Sequence, residues 1–271
     1  MLNDSAGRNM KVTAELRSGI PARVQGSRIW LTAEFLFLFA FFPPLSGCVS
    51  YSLLKDARAL DPGAFRLDVA GGGTVIVPRS GATPDAPRPS FDVGNANDLF
   101  AFELQARYGI ARGWDIGLKT GLTNLELNST VQLVRREAFD VALAPAVQYA
   151  FGSNGDDRGW GTYLFKMPMP IDFRFGQGGE HALVFAPTIA KALGSGNGKN
   201  SGYNVDTLFA GGTVGVSFKL GPLRLIPEIA IYTPLAGHGV ALQGYAVRIS
   251  PDVGLGMPVI VQAGLAFSFG K

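Results

Sequence analysis

Few side chains in this sequence have the type and spacing for chemistry. There is one cysteine, Cys48, and two histidines, His181 and His238, in 271 residues. His238 stands in a stretch, 235–257, that also holds Ser250 and Asp252. A proteolytic or lipid-modifying rim site would combine a histidine with such a serine or acid. His181 stands beside a turn on the opposite side of the predicted fold, and two solvated histidines are the simpler reading. The run Gly194-Ser195-Gly196-Asn197-Gly198-Lys199 approaches a phosphate-binding loop. Its first glycine is one residue too close to the lysine, and Asn200 stands where Ser or Thr would hold magnesium. It reads as a flexible loop. The sequence therefore assigns no catalytic residue, no nucleotide and no cofactor. Two distant histidines and one cysteine do not make a zinc ligand set.

Cys48 has a more specific setting. Ile29 to Phe42 is nearly all apolar, Arg8, Lys11, Arg17, Arg23 and Arg28 precede it, and Pro43-Pro44 end it. Fourteen residues are too few to cross a hydrocarbon core of about 30 Å as a helix. A basic segment, an apolar run and then small residues are the order of a secretory signal peptide. Leu45-Ser46-Gly47-Cys48 closes the run and resembles the lipobox of bacterial lipoproteins. The resemblance implies that residues 1–47 are removed. It also implies that Cys48 carries thioether-linked diacylglycerol, with a further acyl chain such as palmitate on its amine. Two or more chains anchor stably where one does not. Val49 follows, where Asp would be the inner-membrane retention signal, so the resemblance points to the outer membrane. It implies outer-membrane lipids and the lipoprotein-processing and barrel-assembly machinery as partners.

The charge of the whole chain, +3, is mostly that of the leader. Five of the 24 Lys/Arg and three of the 21 Asp/Glu precede Cys48, leaving 19 against 18 after it. That balance excludes a nucleic-acid footprint. A 47% hydrophobic content excludes disorder. Residues 48–271 suffice for one large all-β domain, and 3.6-period apolar stripes are absent from them.

Period-2 alternation runs through this region. Between Asp98 and Ile110, Phe100, Phe102, Leu104, Ala106, Tyr108 and Ile110 share one face, and Glu103, Gln105 and Arg107 the other. Strands place successive side chains on opposite faces. The pattern repeats at 114–122, 139–151, 163–175 and 259–269, and more weakly at 63–77, 125–135, 181–192, 207–219 and 223–233. Tilted membrane strands need about nine to eleven residues. The polar faces are rich in Gly and Ala with isolated charges, as a narrow lumen requires, where a β-sandwich surface would be rich in Lys, Glu and Thr. Aromatics cluster at the ends of the apolar faces. Tyr108, Trp114, Phe139, Phe173, Phe175, Phe218, Phe267 and Phe269 lie at one set of ends, and Phe100, Tyr149, Phe151 and Tyr163 at the other. The long connections, 78–97, 152–160, 193–206 and 235–257, all fall on one side, and short ones such as 111–113, 136–137 and 220–222 on the other.

These features predict an all-β, antiparallel, up-and-down transmembrane β-barrel over 63–271, of about ten strands, with eight or twelve as variants. Residues 48–62 are expected to be a lipidated tether, with both termini on the short-turn side. Arg107-Tyr108-Gly109-Ile110 and Trp114-Asp115-Ile116-Gly117-Leu118 resemble a hairpin of small bacterial outer-membrane barrels. Gly264-Leu265-Ala266-Phe267-Ser268-Phe269 resembles the aromatic C-terminal assembly signal of such barrels, with Gly270-Lys271 added. Pro145, Pro168, Pro170, Pro187 and Pro227 fall inside strands, and a bulge or break is expected at Pro168 and Pro170. Gly71-Gly72-Gly73 marks a bend or close approach in the first strand.

The remaining constellation is a set of inward charges: Arg66, Asp68, Glu103, Arg107, Asp115, Lys119, Glu126, Asp140, Lys166, Asp172, Arg174, Arg224 and Glu228. Mixed signs in a narrow lumen must pair, because unpaired charges are costly where water is scarce. The expectation is a lumen network that rigidifies a structural or surface-loop interaction barrel. A narrow polar channel, a rim enzyme and a lipid-anchored soluble periplasmic β-domain are the alternatives. The sequence sets neither ligand nor oligomeric state.

Overall fold

Ten antiparallel strands close into a barrel in the computed structural model. They are β1 (Phe65–Arg79), β2 (Phe100–Ala111), β3 (Trp114–Gly121), β4 (Asn124–Arg135), β5, β6, β7 (His181–Asn197), β8 (Gly202–Leu220), β9 (Leu223–His238) and β10 (Gly256–Gly270). Two of them are interrupted: β5 comprises Phe139–Leu143 and Ala146–Ser153, and β6 comprises Gly159–Pro168 and Ile171–Phe175. Each strand pairs with its sequence neighbours, and β10 pairs with β1 from Arg66↔Gly270 to Val77↔Val259, which leaves no free edge. The structure describes residues 50, 52–53, 55–79, 100–153, 159–197, 202–238, 240–242, 245–247 and 256–270. All belong to one compact unit, Pro44–Lys271.

The alternation sorts the side chains as expected, apolar outward and polar inward. Leu118, Leu127, Ile189 and Ile229 are half exposed or more on the outside, while Arg107, Lys119, Asp115 and Asp140 are buried inside. Outward Tyr108, Trp114, Phe139, Phe173, Phe175, Phe218, Phe267 and Phe269 ring the short-turn end, and Tyr149, Phe151 and Tyr163 stand toward the other. The side chain of Phe100 lies outside the described residues. An apolar exterior between two aromatic girdles, on an even number of antiparallel strands, is the exterior of an outer-membrane barrel.

The short-turn rim is made by 112–113, 136–138, 176–180 and 221–222, with a 3-10 turn at Gln177–Gly179. Gly113 (φ 77°) and Gly221 (φ 65°) supply the positive φ of its two tightest hairpins. The opposite rim is uneven. At β3–β4 it is the two residues 122–123, while β7 and β8 run on for 17 and 19 residues. Much of the connection expected at 193–206 is thus strand, paired from Leu193↔Asp206 to Asn197↔Gly202, and the phosphate-loop-like run begins on β7. Within 235–257 a two-stranded hairpin, Val240–Leu242 with Tyr245–Val247, stands apart from the barrel sheet, so the barrel has ten strands and not twelve.

The prolines break the wall where expected without opening it. Pro145 splits β5, and Pro168 and Pro170 flank the gap in β6. Backbone bonds still cross there: Ala144 N–H donates to Pro168 O (2.9 Å), Ala142 N–H to Pro170 O (3.0 Å) and Met169 N–H to Pro187 O (2.9 Å). Gly72 permits a close approach, since a Cβ there would sit 2.5 Å from Ala263 O. Gly211 is tighter: its Cβ would meet Ile231 O at 2.2 Å and the inward Tyr232 ring at 2.6 Å.

The described residues of 50–60 are not an external tether. Ser50, Ser52, Leu53, Lys55, Asp56, Ala57 and Ala59 are buried inside the barrel. The chain turns back at 61–64 on the short-turn rim and β1 returns along the wall. The physical reason is the one that predicted pairing among the lumen charges: the segment carries partners for them.

Gly211→Ala is expected to destabilise the barrel by about 1–3 kcal/mol, the usual cost of overpacking against backbone. Urea unfolding in lipid vesicles measures it, and an unchanged midpoint would show that the Tyr232 contact is slack.

Candidate functional site: the occupied lumen

The lumen is built in layers, and the inner segment climbs through them from the short-turn rim. At the rim Gly109 has no Cβ, and one would lie 2.1 Å from Asp61 O, so the segment passes close over the inner face of the wall at a glycine. Leu60 N–H donates to Asp115 Oδ2 (2.9 Å), and Asp115 also binds Arg107 (2.5 Å). Arg58 pairs with Asp140 (3.1 Å), which is held from the other side by Arg174. Ala57 N–H donates to Asp172 (2.8 Å).

Above this level Asp56 faces three guanidinium groups: Arg66 at 3.3 Å, Arg224 at 3.9 Å and Arg107 at 4.0 Å. Arg66 is shared with Asp68 (2.9 Å). The ammonium of Lys55 donates to Ser129 O (3.2 Å), Thr130 Oγ1 (3.3 Å) and Asn128 Oδ1 (3.4 Å). Lys55 is not on a strand. Its burial, helped by nearby Arg107, pushes its pKa down to about 7.

At mid-depth Leu53 N–H donates to Glu228 (3.0 Å) and Ser52 Oγ to Glu103 (2.6 Å). Lys119 bridges Glu126 (3.3 Å) and Glu103 (3.7 Å) and donates to Ser52 O and Ser50 Oγ, each at 3.1 Å. Lys166 binds Glu126 (2.5 Å) and Ser50 O (3.0 Å). The Gln148 amide, oriented with its NH2 toward Ser50 O, closes a second pair with Ser50 N at 3.0 Å each. On the β6–β10 side, Leu164, Val205, Phe209, Tyr232 and Ile260 fill the lumen with apolar side chains, and Tyr232 lines one small cavity with Ser52, Leu53 and Lys55.

Every wall residue expected in the polar network, namely Glu103, Arg107, Asp115, Lys119, Asp140, Lys166, Asp172, Arg174, Arg224 and Glu228, projects inward, with Arg174 and Arg224 half-buried at the short-turn mouth. Sequence reasoning missed Ser50, Ser52, Lys55, Asp56 and Arg58. The available signal was charge. The thirteen inward wall charges comprise six cations and seven anions, and Lys55, Arg58 and Asp56 bring the total to eight of each. Those charges all meet inside one bore.

His181 sits at the short-turn rim between Phe175 and Phe218, with Nδ1 accepting from Lys219 N–H (3.1 Å). The side chain of His238 lies outside the described residues, as do Cys48, Ser250 and Asp252. Among the described residues no cluster of His, Cys, Asp and Glu has metal-binding geometry. The carboxylates of the lumen are committed to arginines, lysines and backbone N–H groups of the inner segment. The arrangement holds a chain.

No protein-family model matches the chain, and no curated protein does. Among solved structures it resembles Neisserial surface protein A, with 9% identity over 76% of this chain and 98% of that one at a TM-score of 0.36. It resembles the outer membrane protease OmpT from Escherichia coli at 9% identity, 80% and 100% coverage and a TM-score of 0.45. It also resembles Ail, the attachment invasion locus protein of Yersinia pestis, at 9% identity, 78% and 99% coverage and a TM-score of 0.36. At these TM-scores the likeness carries no argument about function.

The two adjacent charges of the inner segment should respond differently to substitution. Asp56→Ala leaves three arginines facing one another and is expected to cost about 3–5 kcal/mol, the penalty for stranding buried charges. Lys55→Met removes a buried ammonium that has no ion-pair partner within 4 Å among the described residues, and should cost under about 1.5 kcal/mol. Vesicle unfolding of the two variants checks the order; equal losses would mean that the arginines find water.

Proposed function

We propose that this chain is an outer-membrane barrel anchored by lipid on Cys48 and closed by its own N-terminal segment, acting through its structure and its outer loops and not by transport or catalysis. The observation that supports this most is the filled lumen. The described residues of 50–60 occupy the polar half of the bore and bind groups from seven of the ten strands, while an apolar cluster occupies the other half on one side. A ten-strand bore is narrow before anything enters it. A conducting path would have to displace the segment and its ion pairs together.

The membrane setting rests on the apolar exterior and its girdles, and the anchor on the lipobox resemblance at Leu45–Cys48. Outer-membrane lipids, the lipoprotein-processing enzymes and the barrel-assembly machinery are the partners this reading requires. Connections of the long-loop side are the surface left for recognition, since lumen groups are spent internally.

The purified protein in planar bilayers is expected to show no steady ion conductance, whereas a cell-extracted sample should carry thioether-linked acyl chains that Cys48→Ser abolishes. Sustained conductance steps from the intact protein would replace this reading with the channel one, and a bare thiol at position 48 would remove the anchor.

A further inference from the structure

The direction of the inner segment decides on which side of the membrane the mature N-terminus emerges. Leu60 lies at the short-turn rim, bonded to Asp115, the first inward residue of β3. Ser50 lies far above it, bonded to Lys119 on β3 and to Lys166 and Gln148, at the level where Lys119 pairs with Glu126 and Glu126 with Gln148. The chain therefore runs, from C to N, from the short-turn rim toward the long-loop rim.

The wall above Ser50 is low on one side. Beyond Lys119 and Glu126 only one further inward position remains on each strand, Gly121 and Asn124, before the turn at 122–123. Gly121 carries no side chain, and the buried Asn124 amide packs over it, so Asn124 is the one inward side chain at this rim. On the opposite side β7 and β8 rise well past this level, and Leu164, Val205, Phe209, Tyr232 and Ile260 fill the space in front of them. Two residues of extended chain, from Ser50 to Cys48, reach at most about 7 Å. That spans one or two strand positions to the low rim at β3–β4. It falls far short of the ten residues of segment that separate Ser50 from the short-turn rim.

We infer that the mature N-terminus leaves the barrel over the β3–β4 turn on the long-loop side, so that the acyl chains of Cys48 enter the outer leaflet beside Leu122 and Leu125 and not the periplasmic one. This rests on the proposed lipid anchor for the acyl chains; the exit side rests on the lumen contacts alone. It reverses the expectation that both ends of the mature chain stay on the short-turn side. Leu122 and Leu125 are half exposed on the outer face of that hairpin, an apolar landing for acyl chains at the membrane edge.

The test places single cysteines in the full-length protein on intact cells. In acylated protein the Cys48 thiol is blocked, so V49C carries the one free thiol. V49C should react with a membrane-impermeant maleimide on intact cells to the same extent as after lysis. D61C, at the exposed short-turn rim, should react only once the outer membrane is opened. Labelling of V49C that requires opening the membrane, or that never occurs, overturns the inference. Each variant is scored only if it keeps heat-modifiable mobility. Should V49C misassemble, a Gly-Cys-Gly insertion between Cys48 and Val49 reports the same side. The mass of the N-terminal peptide separates the two readings. An unacylated peptide with labelling on intact cells removes the anchor and keeps the exit side, and an acylated peptide with labelling only after lysis does the reverse.

Discussion

The pairing of lumen charges is the constraint on which the rest of this structure depends. A narrow barrel that faces lipid outward must turn its polar residues inward, and there they lose most of their water. Removing one partner of a buried pair is strongly destabilising, because the survivor keeps its desolvation cost without its Coulomb gain. Here the wall alone is one anion in excess, and the segment before β1 supplies the difference. Asp56 sits among Arg66, Arg107 and Arg224, while Arg58 joins Arg174 on Asp140. The segment is held less by its own propensity than by what the wall lacks without it.

Room for that segment comes from the wall's small residues. Ala142, Ala144 and Ala146 on β5 and Ala182 and Ala186 on β7 are buried with their side chains toward the bore. Leu53 packs on Ala182, Val184 and Ala186. Larger residues there would fill a ten-strand lumen by themselves. The prolines belong to the same region. Pro145, Pro168, Pro170 and Pro187 lie on three neighbouring strands, each missing a donor that a closed sheet would use. The interruptions in β5 and β6 are the geometric consequence, and neighbouring carbonyls remain paired across the gaps.

Most of the wall was legible in the sequence, because period 2 is a strict code: one residue of slip would turn Leu118 inward and Lys119 into lipid. The faces, the girdles, the short-turn side and the break at Pro168–Pro170 all follow from it. The destination of residues 50–60 does not. Apart from Arg66, ten residues from Asp56, their wall partners lie 51 to 175 residues away along the chain, and an irregular polar segment has no periodicity to betray which surface it meets. Ser-Tyr-Ser-Leu-Leu-Lys-Asp-Ala-Arg looks the same as a tether in water. The extension of β7 and β8 beyond 192 was equally hidden, since Gly194, Ser195, Gly196 and Asn197 carry loop chemistry and become strand by pairing with Gly202 to Val205 on one side and Trp160 to Thr162 on the other. In both places long-range partners override a local signal.

Covalent attachment settles how such a segment competes with water for the bore. Leu60 is four residues from Ala64, whose carbonyl accepts from Gly109 N–H at the start of the wall. The segment is thus never farther from its site than a short linker allows, and its effective concentration there is in the millimolar range before any contact is counted. On top of that stand the ion pairs of Asp56 and Arg58 and the backbone bonds to Asp115, Asp172 and Glu228. A solute would have to break these as a group, because the residues are contiguous, and would leave both wall and segment charges unpaired in the act. Displacing the segment is therefore costly, and that cost is what supports the proposed reading in which recognition uses groups outside the bore.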